Sequence, residues 1–473
     1  MINYFQKYFY TKAITMYALV LLIVTIANID YAMPLIWLFI SLLTFIPFFY
    51  FLHALSKKWA NYSDKVFRKK IFITAFAIRV VVVSLMYFLY DTMYGEPFEF
   101  EAADAHFHHE IAIEISEKIS VLDFSFYSEN LVPYVLFNDR GYPLFLGFLY
   151  PFVLQSILLV RFVHALIGAW SCVLIYDLSK RNFNEAIAKL AAIIMMLLPN
   201  LIYYAGLHLK ETVMVFLVIA SINYVDQLMK VPKPSVNTII MTLLTIFSLF
   251  MFRTVLAVAV LFSFAFSTLV QSDKVTGNSR KAMLFFLFVL MAGYIYTSSL
   301  MDDLNVYIEG ASTNQESQLK HFTNREGGNK YAKYGTKFIF APLILSAPFP
   351  TFIDTGQENQ LMISGAVCTR NIYAFFAIVA IFLMIKKNLW RKYSFILAFI
   401  ASYLGILTFS AFVLSERFHL PILPFLAILT AYGIYAINNT DKKYAKFYVP
   451  YLLLIACIII GWNWFKLAGR GLI

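Results

Sequence analysis

The sequence predicts an all-α polytopic membrane protein of about thirteen transmembrane helices, on three observations. Hydrophobic residues fill 61% of the 473 positions, charged residues only 14%, and mean hydropathy is +0.71, a composition foreign to a soluble domain. Apolar segments of about 20 residues, long enough to cross a bilayer as helices, recur from end to end. Lysines and arginines gather in every second connection, the asymmetry that sets membrane topology.

The spacing predicts helices over 13–29, 33–55, 71–91, 157–178, 187–206, 211–229, 236–252, 254–270, 282–300, 366–385, 394–414, 419–437 and 447–465. With the N-terminus in the cytoplasm, the inner loops carry Lys57, Lys58, Lys65, Arg68, Lys69 and Lys70, then Lys180, Arg181 and Lys189, then Lys230 and Lys233. Further along they carry Lys274, Arg280 and Lys281, then Lys386, Lys387, Arg391 and Lys392, and last Lys442, Lys443 and Lys446. This placement ties the net charge of +11 to membrane topology and away from nucleic acid. No small-residue cleavage site precedes the first apolar run, so no cleavable leader is expected. Cys172, Cys368 and Cys457 lie in apolar segments without metal or disulfide spacing and read as small hydrophobes.

The chain divides into two N-terminal helices with a basic loop (1–70), a core (71–300) containing a first outer loop (92–156), a second outer loop (301–365) and a C-terminal group of helices (366–473). In the first outer loop, Gly141–Pro151 is apolar but too short to span and reads as an interfacial or re-entrant helix. The second is polar from Asp302 to Lys337, with Gly327 and Gly328 inside it, then apolar around Pro342, Pro348 and Pro350.

The densest chemistry is in residues 99–112, where Glu99, Glu101, Asp104 and Glu110 stand among His106, His108 and His109. Titratable groups just past a membrane helix are a reaction-centre candidate. Asp104 and His108 are four apart and would share a helix face. The ordinary alternative is a solvated loop helix. Other polar residues reach the same side: His208, Lys210 and Glu211 in one tight turn, Arg253 in the next, and Glu416, Arg417 and His419 before a late helix. Arg140 precedes Tyr142 in the Gly-Tyr-Pro stretch, and Arg370 opens a helix from outside. Singly, each reads as a helix-end residue that snorkels to the interface. Together, acids (Asp104, Glu211) and cations (Lys210, Arg253, Arg417) at one depth suit a site that activates a hydroxyl and holds a phosphate. Arg79 lies about two turns inside its helix, within snorkelling reach of the cytoplasm. A divalent metal held by Asp104 and His108 with Glu211 or His208 stays open beside the simpler reading that His108 orients Asp104.

Asp104-Ala-His-Phe-His-His-Glu-Ile-Ala112 resembles the first-loop motif of the GT-C superfamily, in the branch of protein O-mannosyltransferases and the lipid A aminoarabinose transferase, with His108 where that branch usually has tyrosine. Arg140-Gly-Tyr-Pro, Arg161-Phe-Val-His, Pro199-Asn…Lys210-Glu211-Thr, Arg253-Thr and Glu416-Arg-Phe-His-Leu-Pro are similar to later family motifs, in order, over about residues 71 to 440. The resemblance implies a GT-C-type helical bundle with extracytoplasmic loop helices. It implies a glycosyltransferase that takes a sugar from a polyprenyl-phosphate donor at the outer face of a bacterial cytoplasmic membrane. The acceptor would be a glycan, lipid or protein of the cell envelope. Asp104 would be the general base of an inverting displacement, and Glu211 would support the acceptor or a metal. Lys210, Arg253 and Arg417 would hold the lipid phosphate, supported by Glu101, His108, His109, Arg140, Tyr142, His208, Glu416 and His419. Two other readings stand beside it: a polymerase or ligase moving lipid-pyrophosphate-linked oligosaccharide, and a lipid or solute transporter, which would need charged or broken helices at mid-membrane.

Overall fold

The computed structural model describes residues 3–100, 102–123, 139–231, 234–270, 343–409 and 415–472. In chain order the helices are α1 (Lys7–Ala27), α2 (Leu35–Trp59), α3 (Asp64–Tyr94), α4 (Ala103–Ser120), α5 (Gly141–Val153), α6 (Ile157–Asn182), α7 (Glu185–Leu197) and α8 (Pro199–Ala205). They continue with α9 (Glu211–Lys230), α10 (Val236–Val270), α11 (Glu358–Met362), α12 (Ser364–Lys386), α13 (Ser394–Phe409), α14 (Glu416–His419), α15 (Leu423–Asn439) and α16 (Tyr448–Ala468). Among the described residues there is no strand, only one isolated bridge between Ala32 and Ile353. Nine helical runs there are long and apolar enough to cross a membrane, ten if the bent pair α7–α8 is one span. The chain is a multi-pass membrane protein.

One end of the bundle is a ladder of basic and acidic side chains. Lys180 reaches Asp64 at 2.7 Å, Arg181 reaches Asp226 at 2.6 Å, Lys387 reaches Asp441 at 2.6 Å, and Arg68 pairs with Asp177. Phe183 stacks on Tyr393 at 4.4 Å, joining the early and late connections on that side. These are the connections expected to share one side. Lys57 and Lys58 close α2, and Lys65 to Lys70 open α3, rather than lying in a loop. Long lysine stems let a helix run past the apolar layer.

Other boundaries also differ from expectation. The segment 187–206 breaks at Leu198, where Pro199 starts α8 and the axes bend by 49°. Pro199 has no N–H to continue the ladder of α7. Segment 419–437 begins earlier, as the single turn α14 followed by Leu420–Ile422 and α15. The segment 394–414 is described only to 409, and 282–300 lies outside the described residues.

The helices expected over 236–252 and 254–270 form one run, α10, interrupted at Arg253, whose backbone is extended (φ −169°, ψ 101°). A straight helix of that length would measure about 52 Å, well beyond a hydrocarbon core of about 30 Å. The chain instead reverses there. Arg253 acts electrostatically on Lys210 and Glu211 at the start of α9, whereas Ser267 lies 3.5 Å from Met229 at its far end. Val236 also starts near that far end, a short linker after Lys230.

Arg79 does not snorkel. It is 1% exposed, with Nη1 donating to Ala75 O at 3.2 Å and to Met196 O at 3.4 Å. The break after Leu197 frees the Met196 carbonyl, and Arg79 supplies a donor for it. Gly168 on α6 makes the room: a Cβ there would stand 2.6 Å from Arg79 Nε. Cys172 and Cys368 are buried as expected, but Cys457 is exposed on α16. At the other flank, α1 packs on α12 and α16 through Phe9, which meets Phe376 at 5.2 Å and Tyr448 at 5.1 Å.

Helix packing yields a paired prediction. A Cβ on Gly433 of α15 would lie 2.0 Å from the Phe376 carbonyl oxygen of α12, whereas one on Gly405 of α13 meets nothing within 4 Å. Gly433→Ala lowers the unfolding temperature in detergent, reflecting the roughly 1–3 kcal/mol of stability that overpacking costs. Gly405→Ala raises it or leaves it unchanged, since alanine is the better helix former by about 1 kcal/mol. Equal behaviour of the two variants would refute the close α12–α15 approach.

Candidate active site

The end of the bundle opposite the ladder collects the polar residues singled out in the sequence. α4 presents Asp104 in its first turn, α9 begins at Glu211, and α14 carries Arg417. Arg417 Nη1 donates to Asp104 Oδ2 at 2.5 Å, and Arg417 Nε donates to Glu211 Oε1. One guanidinium therefore bridges two carboxylates brought from positions 104 and 211. Glu211 is fully buried and its Oε2 has no hydrogen-bond partner among the described residues, whereas the Asp104 side chain is 57% exposed. Partial burial would raise the Asp104 carboxyl, but the hydrogen bond and charge of Arg417 outweigh it and hold it below its ordinary value.

Two more cations flank this bridge. Lys210 is buried and paired with Asp139. Burial, then the charge of Arg253, lowers its ammonium below the usual lysine range. Arg253 lies over the Phe418 ring, 4.5 Å from its centroid, and its Nη1 has no partner among the described residues. The chain reversal of α10 brings it here. A Cβ on Gly141 would stand 2.4 Å from the Phe252 ring, so α5 seats its first residue directly against that reversal. Arg140 caps α5 and is partly buried.

Beneath the bridge is a second, drier layer. Arg161 donates to Glu99 Oε2 at 3.3 Å, with side-chain exposures of 0% and 5%, and the same oxygen accepts the His208 N–H at 3.1 Å. Burial pushes the Glu99 carboxyl up while Arg161 opposes it. Tyr150 OH lies 2.5 Å from His109 Nδ1 and 3.3 Å from His208 Nε2. Tyr142 OH lies 3.4 Å from His164 Nε2, and His164 Nδ1 lies 3.2 Å from Leu207 O. His108 packs edge-on to Tyr142 at 5.4 Å; burial and then Lys210 push it down to about 4, so it is neutral at pH 7. His109 and His208 are also lowered, first by burial.

Glu416 and His419 do not join the bridge. Glu416 accepts from Arg370 at 3.2 Å and from Asn200 at 2.7 Å, and Arg370 Nη2 lies 2.8 Å from His419 Nδ1. Arg370, read from the sequence as an interfacial helix-end residue, is completely buried in this cluster. Glu101 lies outside the described residues. Among the described residues no three His, Cys, Asp or Glu side chains converge as a metal-binding set. Of the trio weighed for a metal, Asp104 and Glu211 are both engaged by Arg417 and His108 is packed on Tyr142. Sequence reasoning gave no role to Asp139, Arg161, His164 or Asn200. Arg161 and His164 carried a readable signal, a charge and an imidazole one turn apart inside an apolar helix.

The sequence matches the model of the Alg9-like mannosyltransferase family, a GT-C-type glycosyltransferase family, over residues 125–343, somewhat less than half of the chain. Arg140, Lys210, Glu211 and Arg253 lie inside that span; Asp104 and Arg417 lie outside it. Among curated proteins none matches significantly. The family match supports a membrane-bound glycosyltransferase, an enzyme with a sugar donor and an acceptor.

The lower layer is tested through its buried pair. Arg161→Met and Glu99→Gln each lower stability in detergent by about 3–5 kcal/mol, because each strands a buried polar partner. The double variant loses clearly less than the sum. Strict additivity in denaturant unfolding would show that the two do not interact.

Proposed function

We propose that the chain is a glycosyltransferase that takes a sugar from a polyprenyl-phosphate donor and passes it to a cell-envelope acceptor at the outer face of a bacterial cytoplasmic membrane. It belongs in this reading to the branch of protein O-mannosyltransferases and the lipid A aminoarabinose transferase. The observation that carries it is the bridge Asp104–Arg417–Glu211, flanked by Lys210 and Arg253 at one end of a helical bundle. The proposed topology keeps thirteen spans with the N-terminus inside, counting α10 as two, α13 as one, and 282–300 as one.

The reaction is a single inverting displacement. The acceptor oxygen bonds to the anomeric carbon, the bond from that carbon to the phosphate oxygen breaks, and the electron pair leaves with polyprenyl phosphate. The acceptor proton passes to Asp104. Arg417 keeps Asp104 ionised, the form a general base must have, and a weak base suffices when the proton leaves late. Arg253, with an unpartnered nitrogen, and Lys210 take the growing negative charge on the phosphate. Glu211 orients Arg417. The charge-neutralising role beside the two carboxylates falls to Arg417, without a metal.

The test is release of polyprenyl phosphate from synthetic polyprenyl-phosphate sugars by the purified full chain in detergent, with and without EDTA. Asp104→Asn lowers the rate by about 10²–10⁴-fold, and EDTA has no effect; wild-type rates in Asp104→Asn would remove the base assignment, and loss of activity in EDTA the metal-free mechanism. The pH profile adds a second prediction. Because Asp104 titrates below the ordinary aspartate value of about 3.9, kcat/KM shows no acidic limb from it between about pH 5 and 8. In Arg417→Gln the main effect opposing burial is lost, leaving only the charges of His108 and Lys210, so the carboxyl rises and its acidic limb moves toward that window, on top of the general loss of rate. An unchanged profile shape in that variant would separate Arg417 from the titration of Asp104.

A further inference from the structure

A cavity of about 260 Å³ opens beside the first turn of α4 and takes none of the residues of the bridge. Its walls come from the end of α3, residues 96–100, Ala102 and His106, and the turn into α11 with the first residues of that helix. The volume is just below the roughly 300–1,000 Å³ of drug-sized sites, a size for a ligand of a single ring. Ala102 and His106 line it, whereas Asp104, midway between them in sequence, points to Arg417. Residues two apart on a helix lie on opposite sides, so the cavity and the bridge occupy opposite faces of the same turn.

The chemistry of the walls is one-sided. Glu96, Glu99 and Glu358 bring three carboxylates, and among the described residues no lysine or arginine lines the cavity. Glu99 is 7% exposed, and while its Oε2 is taken by Arg161 and the His208 N–H, its Oε1 has no partner among the described residues. Glu358 accepts from the Tyr94 hydroxyl and Asn359 donates to Phe100 O at 3.0 Å, which ties both walls together. Phe98 and Phe100 supply flat apolar faces. Ionised carboxylates only accept hydrogen bonds, so this cavity suits a ligand rich in hydroxyl donors with an apolar ring face and repels phosphate. A metal ion is disfavoured, because each carboxylate already has a partner and the three do not converge as ligands.

We propose that this cavity is a binding subsite for a non-anionic sugar residue, the acceptor side of the reaction as opposed to the phosphate-bearing donor side. The ligand class rests on the cavity's own chemistry; its role as an acceptor subsite rests on the transferase reading above. The bridge, with its three cations, takes the phosphate, and the cavity on the other face of α4 takes a sugar unit of the acceptor other than the one whose hydroxyl reaches Asp104.

Saturation-transfer NMR and calorimetry on the full chain in detergent test it, with methyl α-mannoside, methyl β-glucoside and N-acetylglucosamine as probes and mannose 1-phosphate as the anionic control. At least one neutral sugar binds saturably and the phosphate does not compete. Glu358→Ala and Tyr94→Phe, both at the accessible rim, each weaken that binding by roughly tenfold, the effect of losing one hydrogen-bonded group, while Asp104→Asn leaves it unchanged. Absence of binding by all three sugars, equal binding in Glu358→Ala, or displacement of the bound neutral sugar by mannose 1-phosphate would overturn the subsite. Polyprenyl phosphate release on the same preparations keeps the two readings apart. Release without pocket binding overturns the subsite alone, and pocket binding without release from any donor overturns the transferase reading alone.

Discussion

Arg417 stands between two carboxylates that the chain keeps more than a hundred residues apart, and the geometry of the end of the bundle opposite the ladder follows from that one contact. Glu211 is fully buried and would be expensive to ionise without a cation against it. Asp104 stays at the surface, open to whatever approaches from solvent. A single planar guanidinium with several donors can hold both in a fixed arrangement, which the point charge of a lysine could not. The bridge thus sets one anionic group at the mouth and one at the floor of the same site.

The lower layer explains why the bridge is held in register. Three short segments each feed both layers. The first gives Glu99 to the buried pair with Arg161 and Asp104 to the bridge; the second gives the His208 N–H below and Glu211 above; the third gives Glu416 to Arg370 and Arg417 to the carboxylates. Buried charged pairs tolerate little misplacement, because a broken one leaves an uncompensated charge in a dry interior. Each segment is therefore clamped from beneath a few residues away from the group it presents. The same logic governs Arg79, which satisfies the carbonyl freed at the α7–α8 bend and so anchors the stretch leading to His208.

The two polar regions at this end differ in composition, one mixing cations with the carboxylates of Asp104, Glu211 and Asp139 and the other lined by carboxylates, and the first turn of α4 divides them. On one face are Arg417, Lys210 and Arg253; on the other are Glu96, Glu99 and Glu358. A helix turn about 10 Å across with side chains is enough to keep the cations of one region out of the other.

Much of this protein was legible in the chain. Apolar length and the basic connections determine a multi-pass helical bundle with its charged ladder at one end, because a bilayer demands satisfied backbone and penalises misplaced lysines. The spacing of Asp104, Lys210–Glu211, Arg253 and Arg417 also marked the residues that gather at the other end. What sequence could not decide is pairing, since it depends on which helices are neighbours. Only the tertiary structure joined Arg417 to both carboxylates, buried Arg79 and Arg370 where snorkelling was expected, and folded α10 back at Arg253. A local pattern reports whether a charge stands near a helix end; whether that charge meets water or a partner is settled by what packs against it.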